Sequence, residues 1–177
     1  MLDHLIDSIK TVSLAKHSDK PADAIITSLL QDFVRALKTN TYARPNFTAD
    51  DEILFEDDNI SIWFCRFQPG ATVPPHNHNM TAIIGVYEGT EQNEIFEHTD
   101  ADQLILRQTT NVTAGDVLQI APDAFHSVSC VSATPSEAIH VYLGPLTQVD
   151  RHLYDVENGT VLAYTDENYH HLSQTKN

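Results

Sequence analysis

Cysteine is scarce: Cys65 and Cys130 are the two in 177 residues, and they form no CxxC pair. Neither a disulfide framework nor a thiolate zinc site is suggested. Basic residues are scarce as well, ten Lys and Arg against 25 Asp and Glu for a net charge of −15. That field repels phosphate backbones and anionic lipid heads, so nucleic acid and membrane surfaces are not expected as partners. No apolar run approaches the roughly 18 residues a membrane span needs. The start, MLDHLIDSIK, lacks both a basic n-region and an apolar h-region, and a cytoplasmic location is expected. Six Gly and eight Pro, with 41% hydrophobic and 20% charged residues, exclude collagen-like, low-complexity and disordered chains. No fixed-period repeat, charge block or Ser/Gly linker marks a boundary, so one domain over residues 1–177 is expected.

What is present divides into two textures. Ile25, Ile26, Leu29, Leu30, Phe33, Val34 and Leu37 recur at helical spacing behind Pro21, which predicts an amphipathic helix over residues 21–38. Leu2, Leu5, Ile6 and Ile9 predict a shorter helix before it, so residues 1–40 read as a helical segment. After Asn40 the chain turns to short β-branched and aromatic runs such as NISIWFCRF, TAIIGVYEG and EAIHVYLG, separated by DD, PG, EG, AGD and TPS. Many short strands with frequent turns predict a β-sandwich or small barrel over residues 41–165, with 166–177 as a C-terminal tail. The fold class is thus mainly β, preceded by helices.

Ten histidines are the compositional surprise. In Pro69-Gly70-Ala71-Thr72-Val73-Pro74-Pro75-His76-Asn77-His78 two of them stand two apart, on one face of an extended segment. Two neutral imidazoles aimed at one point form part of a shell for a divalent first-row metal, and a third ligand would still leave open positions. Gly115-Asp116-Val117-Leu118-Gln119-Ile120-Ala121-Pro122-Asp123-Ala124-Phe125-His126 ends an apolar strand and a Pro-Asp turn in the candidate third ligand, His126. His98, His152, His170 and His171 have no partner at metal spacing and read as solvated. Cys65 and Cys130, on alternating strands, read as packing thiols.

The stretches Gly70 to Gly89 and Gly115 to His126 resemble the two motifs of the cupin superfamily. That resemblance implies a double-stranded β-helix barrel with a metal inside. Most cupins add a glutamate four or five positions after the H-x-H, where this chain has Ala82 and Ile83, so the resemblance implies three histidines alone, the mark of thiol dioxygenases. Ala138-Ile139-His140-Val141-Tyr142, with Arg151 nine residues beyond the tyrosine, resembles the Ser-x-His-x-Tyr segment and following arginine of bacterial 3-mercaptopropionate dioxygenases, with Ala138 in place of the serine. It implies an Fe(II) centre, or another divalent transition metal, oxidising a small thiol carboxylate such as cysteine or 3-mercaptopropionate with O2 to a sulfinic acid. His140 and Tyr142 would be catalytic, and Arg151, or Arg66 in its stead, would meet the substrate carboxylate. A three-His cupin acting on a β-diketone-type carbon substrate and a non-catalytic metal- or small-ligand-binding cupin stand as alternatives. Monomer and homo-oligomer are equally compatible with the sequence.

Overall fold

The structure, a computed structural model, describes residues 1–15, 21–99 and 103–174. Helix α1 (Leu2–Leu14) buries Leu5 and Ile9, and α2 (Ala22–Lys38) buries Ile26, Leu30, Phe33, Val34 and Leu37. The second set keeps the 3.6-residue period that fills one face of a helix. Pro21 stands at the N-cap of α2, and Arg35 and Lys38 occupy its last turn, where cations are favoured by the helix dipole.

Eleven strands follow among the described residues: β1 (Asp51–Glu56), β2 (Ser61–Phe67), β3 (Thr72–His76), β4 (Ala82–Glu88), β5 (Thr90–His98), β6 (Leu104–Thr113), β7 (Val117–Ile120), β8 (Phe125–Cys130), β9 (Ser136–Tyr142), β10 (His152–Asp155) and β11 (Thr160–Ala163). They form a five-stranded sheet in the order β1-β2-β9-β4-β7 and a six-stranded sheet in the order β11-β10-β3-β8-β5-β6. Every pairing is antiparallel. From β2 to β10 the chain crosses between the sheets at nearly every step: β2, β4, β7 and β9 lie in one sheet, and β3, β5, β8 and β10 in the other. This winding is that of a double-stranded β-helix, and it places side chains from both sheets around a common interior.

The five-stranded sheet is apolar on both faces. Ile62, Phe64, Ile83, Tyr87, Ile139 and Val141 point outward into one core with α1 and α2. Ala82, Ile84, Val86, Ala138 and Tyr142 point inward into a second core with Met80, Ile120 and Leu146. Strict alternation along β2, β4 and β9 thus separates structural from interior residues. Each fully buried aliphatic side chain of α2 contributes roughly 1.5–3 kcal/mol of gross burial energy. Among the described residues no helix is long and apolar enough to cross a membrane.

Residues 41–50, expected within the β region, carry no strand, whereas β10 and the terminal helix α3 (Asp166–Gln174) arise where the sequence shows no clear period. Within the stretch read as a tail, α3 buries Leu172. Its period is masked by a polar sequence, DENYHHLSQ.

The contact of α2 with β4 is close enough to be tested. A Cβ at Gly85 would stand 2.6 Å from Leu30 Cγ, itself fully buried. Gly85→Ala should therefore leave the protein folded but less stable by about 1–3 kcal/mol, read from its denaturation midpoint.

Candidate metal centre

His76 ends β3 and His126 lies in β8, and the two are directly opposite in the antiparallel register. Their rings stand 4.4 Å apart, centroid to centroid. His78 follows just beyond the strand, with ring centroids 4.9 Å from His76 and 5.0 Å from His126. The intervening Asn77 holds the turn: its Oδ1 accepts the His152 amide at 2.8 Å, and its own N–H donates to the His152 carbonyl at 3.1 Å. Asn79 adopts φ +54°, which Asn tolerates better than most residues, and donates from Nδ2 to the Asp150 carbonyl. The H-N-H turn is thereby pinned to both neighbours of Arg151.

One ligand atom from each of His76, His78 and His126 lies within 4.8 Å of the others, and all three residues are buried. Their tautomers are largely set by what lies behind them. His76 Nδ1 donates to the Pro74 carbonyl at 2.9 Å and His126 Nδ1 to Asn93 Oδ1 at 3.1 Å, so Nε2 of each keeps its lone pair. His126 Nε2 is buried with no hydrogen-bond partner among the described residues. Burial holds His76 down to about 4, helped by the nearby Arg151 charge, and drives His78 and His126 well below the usual imidazole range. All three are neutral at physiological pH. Converging neutral nitrogens, one of them orphaned, are what a divalent transition metal needs, and the donor set fits such an ion.

The facing sheet supplies the opposite wall. His140 and Tyr142 project inward from β9, with His140 Nδ1 and Tyr142 Oη 3.0 Å apart. The tyrosine is thus the imidazole's partner where Ala138 provides no hydroxyl. Burial pushes His140 down to about 3 and the Tyr142 phenol well above its ordinary value. Trp63 and His140 are cross-strand neighbours, and Trp63 Nε1 and His140 Nε2 are buried without partners among the described residues.

Between the two walls lies a cavity of about 420 Å³ whose lining includes the three imidazoles, His140, Tyr142, Trp63, Cys65 and Arg151. Asp51, Tyr164, Asp166, Tyr169 and His170 line it as well. Tyr164 and Tyr169 belong to no motif, and for Asn77 and Asn93 the only sequence signal is strand alternation, which sets Asn93 on an inward face. Cys65, read as a packing thiol, borders the cavity, and burial raises its thiol above the ordinary range. Cys130 is buried. His170 and His171 are exposed, His152 is half-buried, and the His98 side chain lies outside the described part.

The two candidate arginines part company. Arg66 stays outside the cavity: it donates from Nε to Glu137 at 2.9 Å, pairs with Asp50 at 3.3 Å and bonds the Phe47 carbonyl. Alternation along β2 sends it away from Trp63 and Cys65, and its donors are committed to those acids. Arg151 lines the cavity, and among the described residues no carboxylate lies within ion-pair distance of it.

No family model matches the chain, and no curated protein matches it. Solved structures similar to it include an RmlC-like cupin family protein with a double-stranded β-helix fold from Methanocaldococcus jannaschii, at 14% identity and TM-score 0.48 over 60% of this chain and 90% of that one. A conserved protein with a double-stranded β-helix domain from Klebsiella pneumoniae is similar at 17% identity and TM-score 0.46, over 64% and 86%. An oxalate oxidase in complex with glycolate is similar at 21% identity and TM-score 0.45, over 69% and 59%. Likeness this distant says nothing about substrate or chemistry.

Two outcomes follow from the site's chemistry. Purified protein should take up close to one divalent transition metal per chain, and His126→Ala should lose most of it; elemental analysis showing full occupancy in that variant would displace His126 from the ligand set.

The second is a stability maximum. His76, His78, His126 and His140 bind protons less readily folded than unfolded, where about 6.5 applies, so the unfolded chain gains protons and stability falls as pH drops below that value. Glu91 acts oppositely: fully buried, it is pushed up to about 8 from 4.5, so its contribution is complete below 4.5 and is lost as pH rises toward 8. Between 4.5 and 6.5 four groups oppose one and stability rises with pH; at 6.5 the unfolded imidazoles are still half protonated, so Glu91 prevails only above about pH 7. Denaturant titrations of metal-free protein from pH 5 to 8 should peak near pH 7. Glu91→Gln should remove the decline on the alkaline side.

Proposed function

We propose that this protein is a metal-dependent dioxygenase that uses Fe(II) on His76, His78 and His126 to oxidise a small thiol carboxylate with O2. The observation that carries the reading is an arginine without a carboxylate partner among the described residues, in a chain of net charge −15, facing the same cavity as three buried neutral imidazoles. A guanidinium that none of the described acids neutralises is available to a substrate anion. The reaction is R–SH + O2 → R–SO2H: both oxygen atoms end on sulfur, which gives up the four electrons that O2 accepts.

A metal ion held by the three imidazoles would supply the charge that favours the thiolate and the open positions where thiol and O2 meet. The chain's own residues supply the rest. Arg151 binds the carboxylate and fixes the thiol's direction. His140 and Tyr142 carry one N–H and one O–H between them at neutral pH. Their mutual hydrogen bond consumes one, and whichever way it runs, the other remains as a donor toward the cavity. Trp63, Phe67, Val73, Val128 and Leu146 give the cavity apolar walls that limit water around the reacting group.

The test is an oxygen electrode with the iron-loaded protein. Cysteine or 3-mercaptopropionate should stimulate O2 uptake and yield the sulfinic acid. Arg151→Ala should lower kcat/KM for the carboxylate thiol by roughly ten- to hundredfold, about 1.5–3 kcal/mol, and hardly affect cysteamine. Uptake with β-diketones alone, or none with any thiol at full iron, would overturn the thiol reading.

A further inference from the structure

Arg151 needs something to hold it, and the cavity contains no acid bonded to it. The β10–β11 hairpin provides an alternative. Beyond its register pair His152 and Ala163, the Tyr164 N–H donates to the Arg151 carbonyl at 2.9 Å, so the two residues are neighbours across the hairpin. The guanidinium carbon stands 4.1 Å from the Tyr164 ring centroid. The same ring meets His76 edge-on at 5.9 Å and an interplanar angle of 80°, and lies 6.0 Å from Tyr169 of α3.

We propose that Tyr164 is the positioning residue that holds Arg151 flat for an anionic substrate group, and thereby sets the pocket's preference for thiols that carry a carboxylate. The inference rests on the reading of Arg151 given above. A carboxylate partner would hold the guanidinium by occupying its N–H donors and cancelling its charge. An aromatic face binds the π surface instead and leaves the charge available and, apart from the N–H that meets the Tyr164 hydroxyl, the in-plane donors as well. Tyr164 is in turn braced by His76 and Tyr169, so the ring fixes the guanidinium relative to the imidazole cluster and α3.

The experiment compares Arg151→Ala, Tyr164→Leu and Tyr164→Phe, each with measured iron content, on 3-mercaptopropionate and on cysteamine. Calorimetric titration of the metal-free proteins with 3-mercaptopropionate supplies a readout apart from turnover. Tyr164→Leu should raise KM for 3-mercaptopropionate and weaken its calorimetric affinity by roughly tenfold, with kcat and all cysteamine parameters within about twofold. Tyr164→Phe, which keeps the π face, should restore both to within about threefold. If Tyr164→Leu does not fold, Tyr164→Met, of similar reach without a π face, takes its place. The proposal is overturned if the Leu or Met variant leaves KM unchanged while Arg151→Ala raises it, if both thiols lose equally, or if Tyr164→Phe is as impaired as Tyr164→Leu. Silence of Arg151→Ala itself would instead overturn the reading of Arg151 as the carboxylate's partner, and with it the reason for holding it.

Discussion

Three imidazoles taken out of water and turned toward one another are the constraint on which the interior depends. Charged, they would repel at centroid separations of 4.4 to 5.0 Å. Neutral, they leave lone pairs that the surrounding aliphatic core cannot satisfy. Folding resolves the first problem by desolvation, which keeps the rings unprotonated. Pro74 and Asn93 take up the rearward N–H groups of His76 and His126. The second problem is left for a cation. Because His76 and His126 are register partners, the pairing of β3 with β8 and the geometry of the cluster are one fact, and a slip of one residue would turn either imidazole out of the barrel.

The opposite wall is held from behind. His140 stands between Ile139 and Val141, both fully buried and packed in the core shared with α2. Trp63 stands likewise between Ile62 and Phe64. The outward residues of β2 and β9 fix the inward ones, so the N-terminal helices, though remote from the cavity, determine where His140 and Tyr142 point. Close approach at Gly85 belongs to the same arrangement, since it lets Leu30 seat against the sheet.

Much of this was legible in the sequence because it rests on local periods. The spacing Ile26, Leu30, Phe33, Val34, Leu37 defines the buried face of α2, and the interval between His76 and His78 carries its own geometric meaning. His126 was legible through the strand and turn that precede it. Tyr164, Asn77 and α3 were not, because their roles come from non-local pairing. β10 must lie against β3 before Tyr164 can approach both Arg151 and His76, and nothing in HLYDVENGTVLAY announces that neighbour. Arg66 illustrates the converse: its proximity in sequence to Trp63 and Cys65 suggests a pocket residue, while alternation along β2 takes it to the other face and into the reach of Glu137.

Net charge and local charge point in opposite directions here, and distance decides between them. At physiological ionic strength the screening length is about 8 Å, so most of the surface carboxylates are screened from a ligand already inside the cavity. What such a ligand meets at short range is the guanidinium of Arg151 and a cluster of uncharged imidazoles, with Asp51 and Asp166 set at the exposed rim. On the proposed reading, the acidic surface governs which molecules approach, disfavouring polyanions, and the interior governs which small anion stays. A chain this acidic can house an anion site only if Arg151, the one guanidinium among the described residues that lines the cavity, is kept from the chain's carboxylates. An aromatic partner at 4.1 Å achieves that without spending the charge.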